Sequence, residues 1–309
     1  MERLDGGSAV PGRLRGGVVA LGNFDGFHRG HQAVVGRAVA HARAEGRPAI
    51  VATFDPHPMR YFRPDTPPFR LTTLDQRQLL FADAGADAML VFGFDSALAG
   101  LSAQAFAQER LMERIGAAGV VTGADFTFGK GRDGDVAVLR SLGDELGFTA
   151  DTVQPVLGQD GAVVSSSRIR QHLRAGEPEL AAALLTRPFA VQGVVEHGAK
   201  LGRQLGYPTA NLRMGAYLRP RYGIYAVRGT LADGRVLDGA ANLGVRPTIE
   251  GVPVELLEPY FFDFDGDLYG QTIEVALIAF LRLETKFDGL DALKVQMAKD
   301  CDAARALLR

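Results

Sequence analysis

Val18-Val19-Ala20-Leu21-Gly22-Asn23-Phe24-Asp25-Gly26-Phe27-His28-Arg29-Gly30-His31-Gln32 is a short apolar run that breaks into a glycine-rich turn and then enters a helical pattern. The apolar run reads as a buried strand. A glycine-rich strand-to-helix turn is a phosphate site, because glycines let the backbone approach closely while free amides and the helix dipole favour an anion. Gly22, Asn23, Phe24 and Gly26 form that turn. His28 and His31, three apart across Gly30, can both face the anion and stabilise charge developing on a phosphoryl group. A pair of surface histidines or of metal ligands is the alternative, although no cysteine or third histidine nearby completes a metal site.

Outward from this turn, short apolar runs at 49–54, 88–92, 120–123 and 148–153 alternate with helical patterns, which predicts a parallel sheet with covering helices. One helix begins at Thr73-Leu74-Asp75-Gln76, a capping-box pattern, and another follows Ser102. After Ser165-Ser166-Ser167 a helix carries Ile169 and Leu173 and stops near Gly176, and Glu177-Pro178 starts the next. Past Pro188 the period changes. Runs at 189–195, 223–230, 235–243, 254–264 and 272–283 read as strands, with Asp233-Gly234 as a hairpin turn, so an antiparallel barrel is expected. Leu290, Leu293, Met297, Cys301, Ala304 and Leu308 form one stripe of a terminal helix. The boundary between the two domains is set at 186/187.

The chain has 309 residues, enough for two domains, with 47% hydrophobic and 23% charged residues; neither a disordered chain nor a coiled coil fits. A net charge of -2 supplies no global field for nucleic acid or anionic membrane. The single cysteine, Cys301, cannot form an internal disulfide, and its place on the stripe makes it a core residue rather than a reactive thiol. The N-terminal residues lack a signal-peptide core, and no apolar run approaches the ~20 residues of a membrane helix. A cytoplasmic protein without nucleic acid or membrane partners is expected. Homo-oligomerisation is left open.

Three further pieces accompany the first turn. Thr53-Phe54-Asp55-Pro56-His57-Pro58 ends the second strand, where open α/β sheets put their ligand crevice, and read alone it is a rigid Pro-bounded turn. Val121-Thr122-Gly123-Ala124-Asp125-Phe126-Thr127-Phe128-Gly129 follows another strand, with Asp125 able to line the same crevice. Gly129-Lys130-Gly131 is not a Walker A loop, because the spacing is off and no hydroxyl residue follows the lysine. Val164-Ser165-Ser166-Ser167-Arg168-Ile169-Arg170 gathers hydroxyls, amides and two guanidinium groups at a helix start, which suits polyphosphate, with a helix cap and a solvated face as the plainer reading.

Together these four pieces resemble the adenylyltransferase half of the bacterial bifunctional riboflavin kinase/FAD synthetases, over most of residues 18 to 170. One departure is Ser167, where the family pattern usually has threonine; the hydroxyl is kept. The resemblance implies a Rossmann-like nucleotidyltransferase domain in which the FMN phosphate attacks the α-phosphorus of ATP and pyrophosphate leaves, with no covalent enzyme intermediate. It implies that His28 and His31 stabilise the reacting phosphates, that Ser165, Ser166, Ser167, Arg168 and Arg170 hold the ATP tail, and that His57 and Asp125 lie toward the flavin.

The second half opens with Gly193-Val194-Val195-Glu196-His197-Gly198-Ala199-Lys200-Leu201-Gly202-Arg203 and then Gly206-Tyr207-Pro208-Thr209-Ala210-Asn211. Its glycines and basic side chains can form a phosphate-gripping loop, or simply a surface loop. Thr209 and Asn211 lie two apart, so in an extended segment their oxygens share a side and can share a magnesium ion. With Ala241-Asn242-Leu243-Gly244-Val245-Arg246-Pro247-Thr248, Asp263-Phe264-Asp265-Gly266-Asp267-Leu268-Tyr269-Gly270 and Leu281-Arg282-Leu283-Glu284-Thr285-Lys286-Phe287, these segments resemble riboflavin kinase from Gly193 to the final helix.

The family pattern puts a catalytic glutamate five residues before the Asp-Phe pair. That count gives Glu258, with Glu255 out of register, although Pro259-Tyr260 follows where many relatives have an apolar residue and histidine. The resemblance implies that Glu258 is the general base toward the ribityl 5′-hydroxyl, that Gly198, Lys200 and Gly202 belong to the nucleotide loop, and that Thr209 and Asn211 bind magnesium and the β- and γ-phosphates. Arg282 contacts flavin or phosphate, or is an exposed strand arginine. The expected activity is ATP-dependent conversion of riboflavin to FMN and of FMN to FAD. A nucleotidyltransferase for another phosphorylated substrate and a flavin-binding regulator without turnover are the competing readings.

Overall fold

Strands β1 (Glu2–Asp5), β2 (Val18–Leu21), β3 (Ala49–Asp55), β4 (Ala88–Gly93), β5 (Gly119–Gly123) and β6 (Thr149–Val153) form one parallel sheet in the order β1-β4-β3-β2-β5-β6. The computed structural model describes residues 1–197, 206–246 and 254–309. Successive residues of a strand point to opposite faces, and here each face has its own core. Val19, Leu21, Ile50, Ala52 and Leu90 pack with Phe106, Leu111 and Ile115 on one side. Val18, Ala20, Val51 and Met89 pack with Val34, Val35 and Val39 of α1 (Arg29–Ala44) and with Phe81 on the other. The doubly wound reading of the first half therefore holds, with β1 as an edge strand that the sequence pattern did not announce.

The crossovers contain α2 (Pro58–Phe62), α3 (Leu74–Asp83), α4 (Ser96–Ala99), α5 (Ala103–Phe106) and α6 (Val136–Leu146). The Ser102 side chain caps α5 by accepting from the Ala105 amide at 3.1 Å, and that helix widens into a π-helical run over Ala107–Ile115. Because β3 and β5 flank β2 on opposite sides, the chain leaves β2 and β5 in opposite directions. Such a reversal opens a crevice beyond the carboxyl ends of the strands.

The second sheet contains β7 (Phe189–Val194), β8 (Leu212–Arg213), β9 (Gly223–Thr230), β10 (Val236–Arg246), β11 (Val254–Phe261) and β12 (Thr272–Arg282), in the order β7-β12-β9-β10-β11-β8, with every pair antiparallel. Beyond the two edge strands, Glu196 donates its amide to the Asn211 carbonyl at 2.9 Å, an antiparallel bridge that nearly closes the barrel. The terminal helix α9 (Leu290–Leu308) lays Cys301, Ala304 and Leu308 against Ala226, Ala240 and Ala279 on the outer face. Gly234 takes a positive φ of 86° in the β9-β10 turn, as the Asp-Gly pair predicts. Two strand ends differ from the sequence pattern by more than one residue. β10 continues to Arg246, and β11 stops at Phe261, two residues before Asp263 at a φ of 55°.

The compact units are residues 1–66 with 74–165, and residues 67–73 with 166–309. The division at 165/166 lies ahead of the 186/187 boundary drawn from the sequence because α7 (Ser166–Ala175) and α8 (Pro178–Leu185) pack together and α8 packs on β7 and β12. The 67–73 excursion adds backbone pairing to the barrel unit: Arg70 donates its amide to the Ala216 carbonyl at 3.1 Å and accepts from Leu218 at 2.8 Å. Arg170 Nε donates to the Phe69 carbonyl at 2.8 Å. Among the described residues, no helix is long and apolar enough to cross a membrane.

Gly223 opens β9 with a φ of 149°, and a Cβ there would stand 2.3 Å from the Arg282 carbonyl oxygen. Strain and a backbone clash act together at this position. Gly223→Ala should cost about 1–3 kcal/mol, read as a lower urea midpoint for the barrel's transition.

Candidate functional sites

The turn after β2 is built from backbone that side chains rarely tolerate: Phe24 and Phe27 hold positive φ values of 50° and 44°, and Gly26 one of 87°. Buried rings lock it, since Phe24 and Phe27 both meet Phe81 edge-on at 5.8 and 5.1 Å. His28 is the N-cap of α1; its Nδ1 accepts from the His31 amide at 3.4 Å. The His28 and His31 rings stack at 3.6 Å, and Phe24 meets His31 edge-on at 5.4 Å. Gly30 is needed between them, because a Cβ would lie 3.1 Å from the His28 ring. The same Cβ would approach the Val164 carbonyl at 3.7 Å, so the segment leading into Ser165 passes beside the start of α1.

A residue that the sequence reading missed holds this turn from below. Arg77 is 3% exposed, and its guanidinium donates to the Asn23 carbonyl and to Thr53 Oγ1, both at 3.0 Å, while Thr53 Oγ1 donates to the same carbonyl at 2.9 Å. A buried charge needs such partners, and here they tie the β2 turn to the end of β3. Nothing in the local pattern distinguishes Arg77 from a solvated helix arginine.

At the end of β3, His57 Nδ1 accepts from the Met59 amide at 3.1 Å and caps α2. Tyr61, Phe62 and Phe94 form a ring cluster with centroids 5.2 to 5.7 Å apart, and Phe62 remains 65% exposed. Asp125 follows β5 and is exposed, with Oδ1 3.0 Å from where a Gly123 Cβ would stand. Parallel β2, β3 and β5 thus bring His28, His31, His57 and Asp125 to one edge of the sheet. Ser165 ends the first unit, whereas Ser166, Ser167, Arg168 and Arg170 begin α7 in the second.

In the barrel, the antiparallel register makes a second constellation. Asn242 of β10 stands directly opposite Glu258 of β11. On the other side of β11, Leu257 pairs with Leu212, and the Ala210 amide donates to the Pro259 carbonyl at 2.9 Å, so the register sets Asn211 opposite Glu258 and Thr209 opposite Tyr260. Directly opposed residues share a face. Asn242, Glu258 and Asn211 therefore form a row across neighbouring strands, with Thr209 beside it, while Leu257, Pro259 and Phe261 are buried on the other face. Hydroxyl and amide oxygens of this kind suit a hard cation that is otherwise coordinated by phosphates and water. Gly198, Lys200 and Gly202 lie outside the described residues.

Arg282 points elsewhere in this structure. Its Nε and Nη2 donate to Asp300 of α9 at 2.8 and 2.6 Å, and Gln296 donates to the same carboxylate. A contact from Arg282 to a ligand would compete with that pair. Beside the row is a pocket of about 370 Å³ lined by Tyr207, Tyr260, Lys294 and Arg305 among others.

A family model described as FAD synthetase matches residues 11–168, and one described as riboflavin kinase matches residues 185–308. The bifunctional riboflavin kinase/FMN adenylyltransferase of Pseudomonas fluorescens is 42% identical over 95% of this chain and 93% of its own length. The chain belongs to the bifunctional riboflavin kinase/FMN adenylyltransferase family. The Escherichia coli K12 member is 39% identical over 94% of this chain and 92% of its own. Among solved structures, one titled a macrolide-efflux protein from Streptococcus pneumoniae covers 99% of both chains with 30% identity and a TM-score of 0.87. The shared architecture extends through both units.

Cys301 is 6% exposed, and burial pushes its thiol up to about 11. The thiolate is the reactive form. At pH 8 the native protein should therefore resist a disulfide reagent and release colour promptly only in denaturant, which a stopped-time thiol titration reads directly.

Proposed function

We infer that this chain phosphorylates riboflavin to FMN in its barrel and adenylylates FMN to FAD in its parallel-sheet unit, using ATP for both. The observation that carries the reading is the pair of family matches, FAD synthetase over residues 11–168 and riboflavin kinase over residues 185–308. In functional terms the adenylyltransferase takes residues 1–186 and the kinase 187–309.

For the kinase, Glu258 takes the proton of the ribityl 5′-hydroxyl as that oxygen bonds to the γ-phosphorus and the bond to ADP breaks. A positioned base of this kind contributes ~10²- to 10⁴-fold. Thr209 and Asn211 would hold magnesium, which would neutralise charge on the reacting phosphates. Gly198, Lys200 and Gly202 cradle the nucleotide, and Arg282 contacts flavin or phosphate only on release from Asp300.

For adenylyl transfer, an FMN phosphate oxygen attacks the α-phosphorus and pyrophosphate departs. The turn of Gly22, Asn23, Phe24 and Gly26 receives the nucleotide's phosphates at the start of α1. Stacked His28 and His31 stabilise charge on the phosphoryl group. Ser165, Ser166, Ser167, Arg168 and Arg170 grip the polyphosphate tail. His57 and Asp125 face the flavin, for which the exposed ring of Phe62 offers a stacking platform.

Purified protein given riboflavin, ATP and magnesium should yield FMN and then FAD on chromatography; failure to form either flavin would overturn the reading. Glu258→Gln should lower the rate of FMN formation ~10²- to 10⁴-fold and leave adenylylation of supplied FMN nearly intact. His31→Ala should do the reverse. Equal loss of both activities in either variant would refute separate sites.

A further inference from the structure

Glu258 is held by one oxygen. Nε of Arg246 donates to Oε2 at 2.8 Å, Nη2 lies 2.7 Å from the same atom, and Asn242 Nδ2 reaches it at 3.4 Å. Among the described residues, no donor is hydrogen-bonded to Oε1. Both gripping residues come from β10. Asn242 is the direct cross-strand neighbour of Glu258, and Arg246, at the strand's last position, reaches back toward it. Arg246 is itself steadied on its far side by Glu284, whose carboxylate lies 4.0 Å from Nη1 and packs over Gly244, where a Cβ would come within 2.3 Å of it.

A glutamate has three side-chain torsions, and its two carboxylate oxygens are chemically equivalent until something distinguishes them. Donors converging on one oxygen fix the carboxylate plane and leave the lone pairs of the other available. A base whose orientation is set by a third group is the general logic of side-chain proton transfer. Restricting it before substrate binds removes that ordering from the reaction barrier.

We propose that Arg246 and Asn242 are positioning residues for riboflavin phosphorylation, fixing Oε2 of Glu258 so that Oε1 receives the 5′-hydroxyl proton. The proposal rests on Glu258 being the base. In the step itself the O5′–H bond breaks, the proton passes to Oε1, O5′ bonds to the γ-phosphorus, and the bond from that phosphorus to ADP breaks. Arg246 acts only through Glu258 and touches neither reactant.

The test compares Arg246→Met, Arg246→Lys, Asn242→Ser, Glu258→Gln and the Arg246→Met/Glu258→Gln double variant in the full chain. Kinase kcat and the KM values for riboflavin and ATP are measured, with adenylylation of supplied FMN as the folding control. Arg246→Met should lower kinase kcat roughly tenfold or more, within the contribution of a positioned base, while KM values change little. Arg246→Lys should recover part of the loss, and the double variant should be no slower than Glu258→Gln, because residues acting as a unit are not additive. Wild-type kcat in Arg246→Met, a change confined to the KM for ATP, or a double variant much slower than Glu258→Gln would each overturn the proposal. If Arg246→Met fails to fold, wild-type kcat in both Arg246→Lys and Asn242→Ser overturns it. Full activity in Glu258→Gln removes the base itself, a failure distinct from that of Arg246 and Asn242.

Discussion

The four side chains of β2 are buried to within 1% of complete enclosure, with parallel neighbours on both edges and a hydrophobic core against each face. A strand so enclosed has no freedom to slip, and the chain leaving it must turn at the same point. The positive-φ backbone of Phe24, Gly26 and Phe27 and the stacked pair His28 and His31 follow directly from that point. Left-handed backbone at non-glycine residues persists only where the surroundings over-determine it, and here Phe81 and Arg77 supply that surrounding from α3. The turn after β2 is thus rigid because the middle of the sheet is.

The barrel solves a similar problem by register. Its chemistry-bearing residues are separated by many positions in sequence, yet each antiparallel pairing fixes which residue stands opposite which, and a one-residue slip would send all of them to the other face. Asn242, Glu258 and Asn211 meet because β10, β11 and the approach to β8 keep one register, and the Ala210 to Pro259 hydrogen bond preserves it past the end of the ladder. The strand that brings Asn242 opposite Glu258 also carries Arg246 to its carboxylate, so one element both places and orients the acid group. α9 covers the same outer face, burying Cys301 and engaging Arg282 through Asp300.

The units are also interleaved along the chain. Residues 67–73 leave the first unit's sequence to pair with the second, and the helix bearing Arg168 and Arg170 belongs to the second unit although Ser165, immediately before it, belongs to the first. Arg170 makes the point locally: its Nε bonds to the carbonyl of Phe69, a hundred positions earlier in the sequence, and its guanidinium lies 5.3 Å from the Phe69 ring. The FAD synthetase match, which runs to residue 168, therefore ends inside the second compact unit.

The period-two runs and the strand-to-helix glycine turn were legible from composition and spacing, because local backbone preference and burial pattern are encoded residue by residue. The same holds for the turn at Gly234, the cap at Ser102 and the core stripe with Cys301. The short strands β1 and β8, the added pairing at Arg70 and the buried guanidinium of Arg77 were not legible. Each depends on a partner far along the chain: Glu2–Asp5 has no apolar run and becomes a strand only beside β4, and Arg77 is buried only because Asn23 and Thr53 come to meet it. The sequence by itself determined which side-chain types stand in the two constellations and at what local spacing, since these are covalent facts. Tertiary structure alone decided which of them face one another, and that Arg246 and Asn242 hold one oxygen of Glu258, because cross-strand register is a property of pairing and not of any single segment.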